Sequence, residues 1–103
     1  MPYRVSHAAR QDLEEIFEYW ATHASSHGAD RVLDSITDRF WLLGEFPRCG
    51  KCVPNSAGGL FCFPAGNYLI YYRWSRRGTD IIHIFHGSRD QRRALKPTQK
   101  SPR

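Results

Sequence analysis

The spacing of the apolar residues changes once along this chain, and that change restricts the fold. Up to residue 45 they recur every three or four positions, as in helices with one buried stripe, and from residue 60 they alternate, as in strands. Helices grouped ahead of strands predict an α+β domain rather than alternating β-α-β units. At 103 residues, one such domain can bury a modest core without disulfide or metal support.

The first half of the chain predicts a strand and a helical hairpin. Residues 3–5 form the strand, Ser6 caps a first helix that ends near His23, and a second helix starts after Ser26 or Gly28 and runs to about Glu45. A short polar turn between two helices favours antiparallel packing. Trp41 and Leu42 lie off the apolar stripe of the second helix, and we expect them at the back of the core, with a partner site as the alternative.

The second half predicts three strands, at residues 60–63, 68–74 and 80–86, after a loop over residues 47–59. The element order is then β-α-α-β-β-β, with the helical hairpin on one face of a mostly antiparallel sheet. In the last strand we expect Ile82, Ile84 and His86 to face the helices, and Ile81, His83 and Phe85 to face away. The face turned away is left uncovered, which predicts a partner or a substrate there.

The formal charge of +5 is concentrated at the C-terminus. Residues 89–103 hold six basic residues and one acid, and the rest of the chain holds nine of each. We expect a single domain over residues 1–95 and a disordered basic tail over residues 96–103, which contain two prolines and no apolar residue. Neither a membrane span nor a signal peptide is visible, so a cytoplasmic protein without a membrane partner is expected.

The cysteines predict free thiols. Cys49 and Cys52 have CxxC spacing, but a closed zinc site needs four ligands and no second such pair follows. A redox CxxC normally begins a helix, whereas this one lies between Pro47 and Pro54 in a loop. We therefore expect no metal and no other cofactor.

Five stretches, in order along nearly the whole chain, resemble the RelE/ParE superfamily of toxins from bacterial type II toxin-antitoxin modules. They are residues 3–6 with Ala9, Asp12-Leu13 with Ile16 and Tyr19, Pro47 with Gly50-Lys51, residues 67–73, and residues 86–90. The Pro-x-x-Gly loop and the His-Gly-x-Arg-Asp turn look most like the ParE branch. The resemblance implies the same fold as the apolar spacing.

The superfamily contains two activities, and the resemblance helps to choose between them. RelE-like members cut messenger RNA on the ribosome with basic residues and a tyrosine. Only Arg89 keeps the residue type of that catalytic pattern, since the other matching positions hold Leu60, Cys62, Leu69 and Leu95. The resemblance therefore implies a ParE-like toxin, not an enzyme, that inhibits DNA gyrase by binding and meets DNA only through gyrase or the antitoxin.

Two alternatives stay open. One is a RelE-like ribosome-dependent mRNA endonuclease, whose catalytic candidates are Arg73, His83, His86 and Arg89. The other is a non-toxic binding or autoregulation subunit with the same fold. For His86, a structural role at the strand end is the stronger expectation.

The resemblance also implies contact residues for two partners. The basic residues Arg89, Arg92, Arg93 and Lys96 are candidates for the target, gyrase, although a solvated helix end would also explain them. A cognate ParD-like antitoxin would cover apolar surface. Its candidate contacts, some of which must belong to the core, are Phe61, Phe63, Tyr71, Arg73 and Phe85.

Overall fold

The structure is a computed structural model that describes residues 3–56 and 58–87. Its elements are β1 (Tyr3–Val5), α1 (His7–His23), α2 (Ser26–Glu45), a 3-10 turn (Pro47–Cys49), β2 (Lys51–Cys52), β3 (Phe61–Ala65), β4 (Tyr68–Ser75) and β5 (Gly78–His86). The strands form one sheet in the order β1-β5-β4-β3-β2, parallel between β1 and β5 and antiparallel elsewhere. The predicted α+β architecture is confirmed, and β2 and the 3-10 turn are additions to it.

Serine side chains begin both helices. The Ser6 hydroxyl oxygen accepts a hydrogen bond from the Ala9 N–H at 3.0 Å, and the Ser25 hydroxyl oxygen accepts one from the Gly28 N–H at 2.9 Å. Each serine thus satisfies a backbone donor that the first helical turn leaves unpaired. The predicted cap at Ser6 is confirmed.

The core lies between the helical hairpin and one face of the sheet. Trp20 of α1 donates its indole N–H to the Tyr68 hydroxyl at 2.9 Å, and the buried Thr79 donates to the Leu43 carbonyl at 2.9 Å. These two bonds tie opposite ends of the sheet to the two helices. The fully buried side chains of this core include Ile36, Phe40, Leu43, Ile70, Tyr72 and Ile81.

A β-bulge decides which residues of β5 face the helices. Tyr71 pairs with His83, but the next residue, Tyr72, pairs with Ile81, so Ile82 is inserted between two pairs. Ile81 consequently faces the core and is 0% exposed. The expectation that Ile82 faces the helices and Ile81 faces away is wrong, because strict alternation fails wherever a bulge adds a residue.

Part of the hairpin surface is apolar and exposed. Trp41 is 49% exposed and Leu42 is 37% exposed, and among the described residues Phe46 and Tyr19 are comparable. The expectation that Trp41 and Leu42 pack at the back of the core is wrong, since the core occupies the opposite side of α2. The Trp41 ring makes an edge contact with Tyr3, at 5.3 Å between ring centres.

The predicted tail over residues 96–103 and the candidate contacts Arg89, Arg92, Arg93 and Lys96 lie outside the described residues. The domain end at residue 95 therefore stays a prediction. Within residues 3–56 and 58–87, neither helix is long and apolar enough to cross a membrane.

Candidate functional site

The face of the sheet turned away from the helices, here called the second face, borders a cavity. Cys62 pairs with Tyr71 and Tyr71 with His83, while Leu69 pairs with Phe85, and direct partners lie on the same face. The cavity measures about 420 Å³, which is within the size range of ligand pockets. Its walls come from β2, β3, β4 and the adjoining loop and include Cys49, Val53, Pro54, Cys62, Phe63, Leu69 and Tyr71.

Cys62 and Tyr71 are the titratable groups on the cavity floor, and both are held in their neutral forms. Burial, and after it the neighbouring Cys62, raises the pKa of Tyr71 to about 12. Burial also raises the pKa of the Cys62 thiol, and the side-chain hydrogen bond with Tyr71 opposes part of that rise. A neutral phenol and a neutral thiol make this floor a poor source of a nucleophile or a general base at physiological pH.

The loop that forms one cavity wall is fixed to the sheet by a tyrosine from the opposite face. The Tyr72 hydroxyl donates to the Pro47 carbonyl at 2.6 Å and accepts from the Gly50 N–H at 3.0 Å. A Cβ atom at Gly50 would lie 2.3 Å from that hydroxyl oxygen and 2.8 Å from the Cys62 carbonyl oxygen. The Pro-x-x-Gly spacing thus lets the backbone approach Tyr72 closely, which periodicity alone did not predict.

All three cysteines line this cavity as free thiols. Cys49 and Cys52 are exposed, whereas Cys62 is half-buried. Within the part of the chain that the structure describes, no three side chains of His, Cys, Asp or Glu are grouped so as to hold a metal ion.

The catalytic candidates of the nuclease alternative do not form one cluster in the described residues. Arg73 donates from Nε to the Gly58 carbonyl at 3.1 Å, and His83 Nδ1 lies 2.8 Å from a carboxylate oxygen of Asp12. His86 is on the opposite, helix-facing side, where its ring meets Tyr68 edge-on at 5.3 Å. The fourth candidate, Arg89, lies outside the described residues.

Asp12 has a role that the sequence did not predict. Its carboxylate oxygen accepts from the Ile84 N–H at 2.9 Å as well as contacting His83. Ser6 adds a bond from its hydroxyl to the Ile82 carbonyl at 2.9 Å. Because β1 pairs with β5 only up to Ile81, these side chains satisfy the free edge of β5 beyond that pairing. His83 is thereby held at the sheet edge.

The candidate antitoxin contacts divide between the two faces. Phe61 and Phe63 pair with Tyr72 and Ile70 and pack against the core, although Phe63 also reaches the cavity wall. Tyr71, Arg73 and Phe85 are on the second face, where the Tyr71 and Phe85 rings meet edge-on at 5.7 Å. The second face therefore joins three of these five residues, and their part in antitoxin binding stays a prediction.

The turn after β5 is described only as far as Gly87. Its N–H donates to the Asn67 carbonyl at 2.6 Å, and a Cβ atom there would lie 3.0 Å from the same oxygen. This glycine of the His-Gly-x-Arg-Asp turn allows β5 to end against the β3–β4 turn.

Comparison with known proteins agrees with this fold. The curated protein Toxin ParE1 of Caulobacter vibrioides is 28% identical over 91% of this chain and 97% of its own length. The structure titled "Chromosomal ParDE TA system from P. aeruginosa" matches with a TM-score of 0.72 at 16% identity, covering 84% of this chain and 95% of the other. The RelBE2 toxin-antitoxin complex of Mycobacterium tuberculosis matches with a TM-score of 0.59 at 24% identity, covering 82% and 94%.

At these identities the two structures establish the fold alone, and the family follows from sequence. The family model for the ParE toxin of the type II toxin-antitoxin system parDE matches residues 3–91. That match covers both helices and all the strands described above. The chain therefore belongs to the ParE toxin family of type II toxin-antitoxin systems.

Proposed function

We propose that this chain is a cytoplasmic toxin that inhibits DNA gyrase by binding to it, and that a cognate ParD-like antitoxin holds it inactive. Family membership supports the proposal, as does the relative from Caulobacter vibrioides, which is itself named a ParE toxin. The structural neighbours from toxin-antitoxin systems support an antitoxin partner.

The observation that carries the proposal is the chemical character of the second face. RNA cleavage needs a base for the 2′-hydroxyl and cations for the phosphorane. The Tyr71 hydroxyl and the Cys62 thiol have raised pKa values. Asp12 holds His83 at the sheet edge, and His86 is on the opposite face of the sheet, so the two histidines do not form an acid-base pair. Among the described residues, Lys51 is the one charged residue in the lining of the cavity, and the rest of that lining, which includes Leu69, Val53 and Pro54, is better suited to receive apolar side chains than to cut RNA.

Two assays of the purified toxin test the target. We expect supercoiling of relaxed plasmid by gyrase to fall and messenger RNA on translating ribosomes to stay intact. Cut messenger with unaffected gyrase would replace the proposal by the nuclease alternative. If the toxin neither inhibits gyrase nor causes cleavage of messenger RNA, the remaining hypothesis is a binding or autoregulation subunit.

The gyrase contact is assigned to Arg89, Arg92, Arg93 and Lys96, the basic residues that follow β5 in the sequence. Arg89→Ala should weaken gyrase inhibition while the melting temperature stays within a few degrees of the parent. A large fall in melting temperature would show instead that Arg89 supports the fold.

The antitoxin contact is assigned to the second face and its cavity. Leu69 lines the cavity and is half-buried, so Leu69→Glu should place an unpaired carboxylate in the interface and weaken antitoxin binding by more than about tenfold. Leu42→Glu is the matched control, since Leu42 is exposed on the hairpin. A larger loss from Leu42→Glu would move the antitoxin to the hairpin surface. Titration calorimetry with the cognate antitoxin measures the affinity of each variant.

A further inference from the structure

Acidic and basic residues are segregated in this fold. The two helices hold eight acidic and three basic residues, whereas residues 46–87 hold five basic residues and one acid, Asp80. That acid is already paired with Arg4 of β1, at 2.9 Å from Nε to the carboxylate. The helical layer is therefore negative, and the sheet with its loops carries a positive excess.

Four arginines of this excess gather where β4 turns into β5, a surface here called the basic end: Arg48, Arg73, Arg76 and Arg77. Arg76 and Arg77 are exposed and form the turn between Ser75 and Gly78. The Arg48 guanidinium carbon lies 5.4 Å from the centre of the Trp74 ring, which belongs to the last residues of β4. Arg73 precedes Trp74 and bonds the Gly58 carbonyl. Distant parts of the sequence thus bring their charges to one edge of the molecule.

For three of the four arginines of the basic end, Arg48, Arg76 and Arg77, no ion pair is found among the described residues. The ion pairs found there join Arg4 to Asp80 and His83 to Asp12, and neither involves Arg48, Arg76 or Arg77. Glu45, the nearest acid before Arg48 in the sequence, is likewise outside those pairs. Contact with the Trp74 face orients the Arg48 guanidinium while leaving its N–H edge able to donate.

The position of the Trp74 ring under Arg48 leaves a polar group of the ring unsatisfied. Its indole N–H is buried and has no acceptor in the part of the chain that the structure describes. An unsatisfied buried donor is unfavourable, so packing must offset it. The ring contacts Phe61, at 5.9 Å between ring centres, and lies under Arg48. The arrangement holds a cation in a fixed place at the sheet end.

We propose that the basic end binds the phosphate backbone of duplex DNA. Guanidinium groups match phosphate oxygens in a two-pronged geometry, and several on one surface give salt-sensitive affinity. Single-stranded nucleic acid is bound through stacking on exposed aromatic faces. Here the Trp74 face is covered by Arg48 and both Trp74 and Phe61 are half-buried, which favours a duplex. The acidic helices would turn away from the duplex and so fix the orientation of the toxin.

This site goes beyond gyrase inhibition and is tested without gyrase. Binding of a short fluorescent duplex DNA to the full chain is measured by anisotropy over a range of salt concentrations. Arg76→Gln/Arg77→Gln should lower the affinity about tenfold and reduce the salt dependence by the equivalent of roughly two phosphate contacts. The matched control Arg10→Gln/Arg31→Gln removes the same charge from exposed helix positions and should lower affinity less than about twofold.

Circular dichroism of both variants should match the parent, since all four positions are exposed. Equal losses in the two variants would overturn the proposal in favour of diffuse attraction by net charge. If Arg76→Gln/Arg77→Gln binds duplex DNA with the affinity of the parent, the proposal is overturned and the basic residues after β5 become the DNA contact. Tighter binding of a single-stranded RNA, or equal competition by polyglutamate, would also overturn it, the latter in favour of an acidic protein partner.

Discussion

On the helix side of the sheet, the Tyr72 hydroxyl is held between two backbone groups, the Pro47 carbonyl and the Gly50 N–H. On the second face its neighbour Tyr71 meets a thiol instead and borders an open cavity of about 420 Å³. Adjacent residues of one strand thus serve a filled core and an unfilled surface. The difference teaches that the helix side shapes the second face, and that a partner would meet half-buried side chains such as Leu69 and Phe85 rather than Tyr71, which is 4% exposed.

The largest loss of stability should come from truncating a core side chain on the helix side of the sheet. Ile70 is 0% exposed on the helix side, and Ile70→Ala should lower the free energy of unfolding by about 2–5 kcal/mol because it leaves a cavity. Leu69, the preceding residue, is half-buried on the second face, and Leu69→Ala should cost about 1 kcal/mol or less. Urea unfolding measures both. Equal losses would show that the second face is as much a part of the core as the helix side.

A smaller loss of stability is expected from a substitution in the loop that the Tyr72 hydroxyl fixes to the sheet. Gly50→Ala would force a Cβ atom against the Tyr72 hydroxyl and the Cys62 carbonyl, and it should destabilise the fold by about 2–3 kcal/mol. The same change should also distort the cavity wall and weaken antitoxin binding. Gly28→Ala, within α2, is the control: alanine favours a helix over glycine, which offsets the 3.2 Å approach of the new Cβ to the Ser25 hydroxyl, so its loss should be much smaller than that of Gly50→Ala.

The double variant Gly50→Ala/Tyr72→Phe identifies the cause of that loss. Removing the hydroxyl relieves the closest clash, so the two changes should cost less together than the sum of the single changes. Additive losses would mean that the contact with the Cys62 carbonyl, and not the one with the Tyr72 hydroxyl, causes the loss.

The elements of this fold were predictable because they depend on local signals. The apolar stripes predicted α1 and α2, the alternating residues predicted β3 to β5, and Ser6 predicted the first cap. The reversal at Ile81 and Ile82 was not predictable, because a bulge depends on how β4 and β5 pair and not on the sequence of β5 alone. The exposure of Trp41 was missed for a related reason, since the stripe did not show that the fold leaves the other side of α2 uncovered.

The candidate site was predicted as a face but not as a shape. Alternation placed Tyr71 and Arg73 together on one face of β4 but did not decide which face the helices cover, and the pairing puts both residues on the uncovered side. The same reasoning could not show that Phe61 and Phe63 pack against the core, nor that the loop with Gly50 closes a cavity over Cys62. Those features depend on contacts between residues far apart in the sequence, such as Tyr72 with Pro47. Asp12 was visible only as part of a family pattern, because its partner, the Ile84 N–H, is a backbone group.

A smaller effect on stability depends on pH and involves both faces, since burial raises the pKa of Tyr72 on the helix side as well as that of Tyr71. The pKa of Tyr71 is raised to about 12 in the folded chain, against about 10 for an ordinary tyrosine. The folded state then keeps a proton that the unfolded state loses, so stability is unaffected below about pH 10 and falls as the pH rises toward about 12. Tyr71→Phe should flatten part of that fall in urea unfolding at alkaline pH. An unchanged alkaline slope would contradict the desolvated environment of the cavity floor.

The smallest change in stability should come from substituting the cysteines at the rim of the cavity. Cys49 and Cys52 are exposed there, so Cys49→Ser/Cys52→Ser exchanges sulfur for oxygen where water already reaches the side chains. The free energy of unfolding should change by less than about 0.5 kcal/mol, and gyrase inhibition should be retained. Cys62→Ser is the contrasting change, because Cys62 is half-buried and hydrogen-bonded to Tyr71, and it should cost more than the double rim variant. If the native protein instead carries stoichiometric zinc that the rim variant loses, the rim thiols are ligands, and the cavity is built around a metal rather than for an apolar partner.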